Sequence, residues 1–422
     1  MPETDQRDSS KLNIWLPLLF SLVMVIGMVL GARLAKTMDF NDSPKRELIM
    51  HKGQPSTLEE VMRFIDARYV DDINAEEISE DLIAELLKEL DPHSNYLTPE
   101  SVSRINEDLE GNFNGIGIEF IIMEDTIHVI KTIANGPSEK AGILSGDRII
   151  QVGDSLVAGA GIPQDQLVNL IRGSKGSKVK LDVKRRGHAE LIPITVTRDA
   201  IPIYSLDAAF EISKGVLFAK LNRFSATTYK EFMQGVEKYI DPDQKYQLIL
   251  DLRDNPGGFL DEAVDILCQI FEERDRLLVY TEGGNTKRIE YKTTGRNFYS
   301  FESVAILVDE GSASASEIIA GAIQDWDRGY IIGRRTFGKG LVQEQYPLKN
   351  GGALRLTTAR YYTPAGRSIQ RDYSNGEKAY YDDMEHRFEN GGQYSQDSLA
   401  WQDSTEYQTN GGRIVYGGGG ID

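Results

Sequence analysis

Between Lys11 and Arg33 the chain runs for 21 residues without a charge, and the stretch from Ile14 to Leu30 is dominated by apolar side chains. That length predicts a membrane span, because a bilayer core is crossed by roughly 20 helical residues. A cleavable signal peptide competes for the same segment. No small-x-small cleavage site is evident, since Ala32 and Ala35 enclose Arg33, and no Cys follows that could carry a lipid. We therefore expect a signal anchor at 13–35, after a polar tail at 1–12 and before a linker at 36–57. Flanking charges leave its orientation open, with Arg7 and Lys11 balancing Arg33 and Lys36.

Past the linker the period changes to that of a helix. Leu58, Val61, Phe64 and Ile65, then Leu82, Leu86, Leu87 and Leu90, recur at helical spacing until Asp91-Pro92 stops the pattern. From Gly115 to Val196 short strand-like runs alternate with glycines: Ile118–Ile122, Ile127–Ile130, Val179–Val183 and Ile192–Val196. A helix carrying Leu167, Val168, Leu170 and Ile171 interrupts them. After Ile201 strands and helices alternate. Strands are expected at Val216–Leu221, Leu248–Leu250, Val304–Val308 and Tyr330–Ile332, and helices at Tyr229–Tyr239, Leu260–Phe271 and Glu317–Trp326. Such alternation predicts an α/β layer fold. Leu341–Tyr346 reads as strand, and the acidic, polar stretch from Tyr373 to Thr409 as an irregular insertion. The resulting division is a helical part at 58–101, a β module at 102–200 and an α/β core at 201–422, with an insertion at about 372–413.

Composition narrows the chemistry. Against 47 Lys plus Arg stand 65 Asp plus Glu, a net charge of −18, which repels a polyanion and argues against nucleic acid as a partner. A single cysteine, Cys268, excludes an internal disulfide framework and a Cys-based zinc cluster. The five histidines are scattered and form no His-Glu-x-x-His helix, so that type of metal site is excluded and none is expected.

Three loops draw attention because each follows a buried strand. In Asp309–Glu317, small residues and three serines lead into a helix. A serine at such a junction is exposed beside the outward-pointing amides of a helix N-terminus, which suits a nucleophile and its oxyanion site. The Gly-x-Ser-x-Gly elbow is absent, and taken alone the segment reads equally as helix capping by Ser314 or Ser316 assisted by Glu317. Gly333–Gly340 nearly matches a phosphate-binding loop. Its last position is Gly340 where a hydroxyl is needed, and no long helix follows, so nucleotide binding is rejected. Lys339 between two glycines is instead a candidate base, if burial keeps the amine neutral, against the alternative of a surface lysine on a turn. In Asp251–Gly258, Asn-Pro-Gly is ordinary turn chemistry, but the paired glycines also offer unobstructed backbone N–H groups. All three loops belong at the carboxyl edge of one sheet, where sites form.

With those residues in view, the chain resembles the carboxyl-terminal processing peptidases, also called tail-specific proteases. The similarity rests on Ser312-Ala313-Ser314-Ala315-Ser316-Glu317, on Gln324-Asp325, and on Thr336-Phe337-Gly338-Lys339-Gly340-Leu341-Val342-Gln343. Asp251-Leu252-Arg253, Asn255-Pro256-Gly257-Gly258, the loop Leu90–Leu97 and Arg360–Gly366 add to it, so that it extends over about Leu58 to Gly420. The resemblance implies a ClpP/crotonase-like α/β protease core with an inserted PDZ domain and an N-terminal helical segment. It implies Ser314 as nucleophile, Lys339 as general base and Gln343 as the residue orienting the lysine. It implies an oxyanion hole formed by Ala315 N–H and one of Gly257 or Gly258. Asp325 is read as structural. In the PDZ domain, Gly115-Ile116-Gly117-Ile118 corresponds to the loop that captures a peptide carboxylate, Ile118–Ile122 to the strand a peptide would extend, and Gln166–Ile171 to the groove helix.

The expected function is a cofactor-independent serine endopeptidase that cuts proteins near exposed C-terminal tails. It would be tethered to the inner membrane with its catalytic part on the periplasmic side, or secreted after signal cleavage. A homo-oligomer or an adaptor remains open, and the competing reading is an inactive, tethered PDZ adaptor. The family's closing Gly-Gly-Ile-x-Pro-Asp strand is met here only by Gly419-Gly420-Ile421-Asp422. Either the sheet lacks an edge element or the chain is a shortened version.

Overall fold

The computed structural model describes residues 56–241, 244–389 and 405–422. The expected span at 13–35, the tail before it and the linker as far as residue 55 lie outside them, and the last linker position, Thr57, already belongs to a helix. Among the described residues no helix is long and apolar enough to cross a membrane.

The helical segment resolves into two helices. Thr57–Arg68 is capped by Ser56, whose side chain accepts the Glu59 N–H at 3.2 Å. Ala75–Lys88 follows and ends just ahead of Asp91-Pro92. A third helix, Pro99–Glu110, runs across the expected boundary at 101/102. Thr98 caps it, and Gly111 closes it in the left-handed conformation.

The β module is a sheet in the order Ile118–Met123, Thr126–Thr132, Arg148–Val152, Lys178–Lys184, Ile192–Thr197, with Ser155–Leu156 paired to its third strand. Alternate residues face one side: Ile127, Val129, Ile149, Leu181, Val183 and Val196 are buried, and the helix Gln164–Ile171 covers them with Leu167 and Ile171. That is the period-2 logic of a half-buried strand meeting the apolar stripe of a helix. Where the chain enters and leaves, Asn112–Gly115 pairs antiparallel with Asp199–Pro202.

The core holds a five-stranded sheet in the order Leu206–Ser213, Val216–Leu221, Tyr246–Asp251, Phe301–Val308, Tyr330–Gly333. Its first pair is antiparallel and the rest are parallel. The helices Thr228–Glu237, Leu260–Ile270 and Ala315–Asp325 supply the crossovers. Every residue of Ala315–Asp325 is buried, and Ile318, Ile319 and Ile323 join Leu248, Leu250, Ile306 and Val308 in one cluster. A second sheet is wholly antiparallel. Ala353–Tyr362 lies at its centre, flanked by Arg274–Glu282, Leu341–Pro347 and Asn95–Leu97, with Ile289–Thr294 beyond Arg274–Glu282. Sequence periodicity missed Arg274–Glu282, Ile289–Thr294 and Leu206–Ser213, whose polar residues mask the alternation.

The stretch read as an irregular insertion contains a 14-residue helix, Gly376–Glu389. Its sequence has no continuous apolar stripe to announce it. Among its described side chains Tyr380 is buried, to 2% exposure, and anchors it to the core. The last residues pack as well. Ile421 donates its N–H to Thr336 Oγ1 at 2.7 Å and accepts the Thr336 N–H at 2.9 Å, while Gly418 and Gly419 donate to the carbonyls of Ser368 and Ile369.

Candidate active site

The parallel strands end level with one another: Asp251 pairs with Leu307, and Val308 with Gly333. The three loops that follow are therefore neighbours, and hydrogen bonds lock them together. Ala313 N–H and Ser316 Oγ both donate to the Asn255 carbonyl, at 2.9 and 3.0 Å. Phe337 N–H donates to the Ser312 carbonyl at 3.0 Å.

Ser314 sits where the strand-to-helix turn closes, with φ 54° and ψ −111°. This is a strained conformation for a residue with a side chain, of a kind that costs about 1–3 kcal/mol and concentrates at functional turns. The elbow is thus present in the backbone although its Gly-x-Ser-x-Gly signature is missing. Ser314 is also the N-cap of Ala315–Asp325: its backbone N–H donates to Glu317 Oε2 at 2.8 Å while its side chain makes no cap bond, so the capping position and the functional reading fall on one residue. The neighbouring serines are engaged elsewhere. Ser312 Oγ donates to the Leu252 carbonyl at 2.8 Å, Ser316 Oγ is bonded to Asn255, and both residues are fully buried, whereas Ser314 is half-buried.

Gly257 packs on this turn. A Cβ there would stand 2.6 Å from the Ala313 carbonyl oxygen and 2.8 Å from Ser314 Cβ, and its φ of +94° is itself unfavourable for other residues. Its N–H is taken by Asn255 Oδ1 at 2.9 Å. The N–H groups of Gly258 and of Ala315, the first residue of the helix, donate to no group among the described residues.

Lys339 is half-buried, and its Nζ donates to Gln343 Oε1 at 3.0 Å. Gln343 Nε2 in turn donates to the His93 carbonyl at 2.6 Å. Burial lowers the Lys339 ammonium below its ordinary pKa. The Arg355 guanidinium adds to the shift, and the carboxylates of Glu317 and Asp91 oppose it. No hydrogen bond joins Ser314 Oγ to Lys339 Nζ. Catalytic contacts commonly tighten only when substrate is bound.

Glu317 holds the two loops in place. Its carboxylate is fully buried, makes no salt bridge among the described residues, and accepts four donors: Ser314 N–H at 2.8 Å, Lys339 N–H at 2.9 Å, Gly338 N–H at 2.7 Å and Thr336 Oγ1 at 2.6 Å. Burial pushes its carboxyl above the usual carboxylate range, and the four donors pull it back. The hydroxyl of Tyr361, also buried, lies 2.6 Å from the Lys339 carbonyl and 3.1 Å from the Ser314 carbonyl. Sequence reading credited Glu317 only with capping and assigned Tyr361 and His93 no role. Their sole signal was membership of the motifs Ser312–Glu317, Arg360–Gly366 and Leu90–Leu97. Asp325 forms a buried ion pair with Arg367 at 2.7 Å, a structural use.

In the β module, Gly115 ends the stem strand, Ile116 is buried, and Gly117 has φ +72°. The Ile116 carbonyl accepts Ser138 N–H, and the Gly117 carbonyl accepts Ile133 N–H, both at 3.0 Å. The N–H groups of Ile116 and Gly117 bond to nothing among the described residues. Ile118 opens the strand Ile118–Met123. Among the described residues no group of three or more His, Cys, Asp or Glu side chains could hold a metal.

A serine on a strained strand-to-helix turn, unengaged amides beside it and a half-buried lysine across from it define a mixed α/β serine hydrolase with a peptide-binding module. The profile of peptidase family S41 matches residues 215–375, and that of a PDZ domain matches residues 114–196. A probable CtpA-like serine protease of Staphylococcus haemolyticus is 33% identical over 369 residues, covering 87% of this chain and 73% of the relative. A carboxy-terminal-processing protease of Bartonella bacilliformis is 32% identical over 332 residues, 76% of this chain and 75% of the relative. The solved photosystem II D1 C-terminal processing protease is 27% identical, with a TM-score of 0.41, over 74% of this chain and 89% of that one. The chain belongs to peptidase family S41 and is a serine protease that carries a PDZ domain.

Proposed function

We propose that the protein is an endopeptidase that cuts substrates near their C-termini with Ser314 as nucleophile and Lys339 as general base. The core is read as a ClpP/crotonase-like layer. The observation that carries the assignment is the shared anchor of the two loops on Glu317, which sets the half-buried Ser314 opposite a lysine whose burial favours the neutral amine.

Neutral Lys339 takes the proton of Ser314 Oγ as that oxygen bonds to the scissile carbonyl carbon. The N–H groups of Ala315 and Gly258 receive the oxyanion; Gly258 is preferred to Gly257 because the Gly257 N–H already goes to Asn255. As the C–N bond breaks, Lys339 returns the proton to the leaving amine. Water then attacks the acyl-enzyme with Lys339 again as base, and the proton it loses ends on Ser314 Oγ as the carboxylate product leaves. Gln343 keeps the amine aimed throughout.

The PDZ domain selects the substrate tail. A peptide carboxylate is received by the amides of Gly115–Ile118, and the peptide extends the strand that starts at Ile118. The charge-free run Ile14–Leu30 tethers the enzyme to the inner membrane, with the catalytic part on the periplasmic side. The chemistry needs no cofactor.

The test is incubation of the full chain with proteins bearing defined C-terminal tags, followed by mass spectrometry of the products. Wild type should release C-terminal fragments and Ser314→Ala none. Intact substrate in both reactions, with tails still bound, would point to a tethered adaptor instead.

A further inference from the structure

The S41 profile stops at residue 375, and the helix Gly376–Glu389 begins just beyond it. This helix places one side chain against the lysine loop. Tyr380 is 2% exposed, and its hydroxyl lies 2.9 Å from His93 Nε2 and 3.4 Å from Gln370 Nε2. The amide of Gln370 can only donate, so the tyrosine oxygen accepts from it and turns its own hydrogen to His93. His93 Nε2 is then the acceptor of a neutral ring, in keeping with a pKa pushed down to about 4 by burial and by the charge of Lys339.

From Tyr380 two routes reach the base. Through His93, the backbone carbonyl holds Gln343 Nε2 at 2.6 Å, and Gln343 Oε1 holds Lys339 Nζ at 3.0 Å. Through Gln370, whose Oε1 accepts the Gly340 N–H at 2.8 Å, the residue after Lys339 is fixed. The ring contributes too. The Arg371 guanidinium is held between Tyr380, 4.1 Å from the ring centroid, and Phe337, 4.4 Å away. Phe337 lies two residues before Lys339, so aromatic surface closes this side of the loop.

We propose that Tyr380 is a positioning residue for the lysine base, supplied by a helix outside the family profile: through His93 and Gln370 it fixes Gln343 and Gly340, and with them the aim of Lys339. It touches neither substrate nor the reacting atoms. The inference rests on the assignment of Lys339 as base. Lys339 is also faced by Glu317 from the helix Ala315–Asp325, by Asp91 and His93 from the loop before Asn95–Leu97, and by Arg355 and Tyr361 from Ala353–Tyr362. Arg371 lies just beyond.

The test uses the full chain and a tailed peptide substrate, with kcat and KM measured across pH for wild type, Tyr380→Phe and Tyr380→Ala, and Ser314→Ala as control. Tyr380→Phe keeps the ring and loses only the hydroxyl. It should lower kcat about tenfold with KM unchanged, since small misplacements of a catalytic group cost on that scale, and leave the acid limb in place. Tyr380→Ala also admits water beside Phe337, so it should lower kcat further and move the acid limb to higher pH. Wild-type kcat and pH profile in both variants, beside an inactive Ser314→Ala, would overturn the inference and leave the catalytic assignment standing. So would a loss of activity that merely follows a lowered melting temperature, with the acid limb fixed in both. An active Ser314→Ala would remove the catalytic assignment, and the inference with it.

Discussion

One oxygen atom of Glu317 joins the two halves of the site: Oε2 accepts the backbone N–H of Ser314 at 2.8 Å and that of Lys339 at 2.9 Å. The residues are 25 apart in sequence and share this single acceptor, while Oε1 takes Thr336 and Gly338. The separation of serine and lysine is therefore set through the backbone, whatever rotamer either side chain adopts.

Glu317→Gln tests that coupling. The amide keeps one acceptor oxygen and turns an NH2 toward two donors, leaving buried N–H or O–H groups unpaired. A loss of about 2–4 kcal/mol is expected, from an unpaired buried donor costing about 1–3 kcal/mol. Chemical denaturation reads that loss. At temperatures where the variant remains folded, kcat should still be reduced, because the two loops no longer share an anchor.

The three serines separate by their hydrogen bonds. Ser314→Ala should abolish turnover and leave stability nearly unchanged or slightly improved, since it relieves no buried bond to a carbonyl. Ser312→Ala and Ser316→Ala should keep activity but each cost about 1 kcal/mol for a lost buried hydrogen bond. Parallel melting curves and peptide-cleavage rates distinguish them. Full activity in Ser314→Ala would defeat the assignment.

Activity should follow deprotonation of Lys339. Its pKa is lowered in the folded protein, so turnover is present above that lowered value and is lost as pH falls through it. The acid limb of kcat should therefore lie below the ordinary lysine value of about 10.4. Lys339→Arg should be inactive at every pH, because a guanidinium stays charged. A pH–rate series on both proteins checks this.

His93 predicts an acid weakness. Burial, and then the charge of Lys339, push its folded pKa down to about 4 from the ordinary 6.5, so the unfolded chain binds a proton that the native state refuses. The stability this group contributes is complete above 6.5 and is lost as pH falls toward 4, up to about 3 kcal/mol. His93→Gln should flatten that part of the stability–pH curve, measured by urea unfolding at intervals of pH.

Much of this fold was legible because periodicity and burial agree. Val216–Leu221 and the helix from Leu260 carry their apolar residues at the spacing their structures require. Leu206–Ser213 and Ile289–Thr294 were missed because edge strands in antiparallel pairs tolerate polar residues on exposed faces. At the site, Ser314, Lys339 and Gln343 were visible as motif members, and the hydrogen bond from lysine to glutamine agrees with their spacing. The hub role of Glu317 and the contacts of His93 and Tyr380 depend on residues 22 to 287 positions apart, which no local pattern encodes.

The antiparallel stem that carries the PDZ domain has a topological consequence. Asn112 pairs with Pro202 and Gly115 with Asp199, so the chain departs and returns through adjacent points. Opposed residues in such a pair stand about 5 Å apart. To the protease, some 80 residues of binding domain close the same gap as a tight turn, and the entropy of closing a loop grows only slowly with its length. A tail-reading module of different specificity, grafted at the same two positions, would leave every strand register of the catalytic sheets untouched.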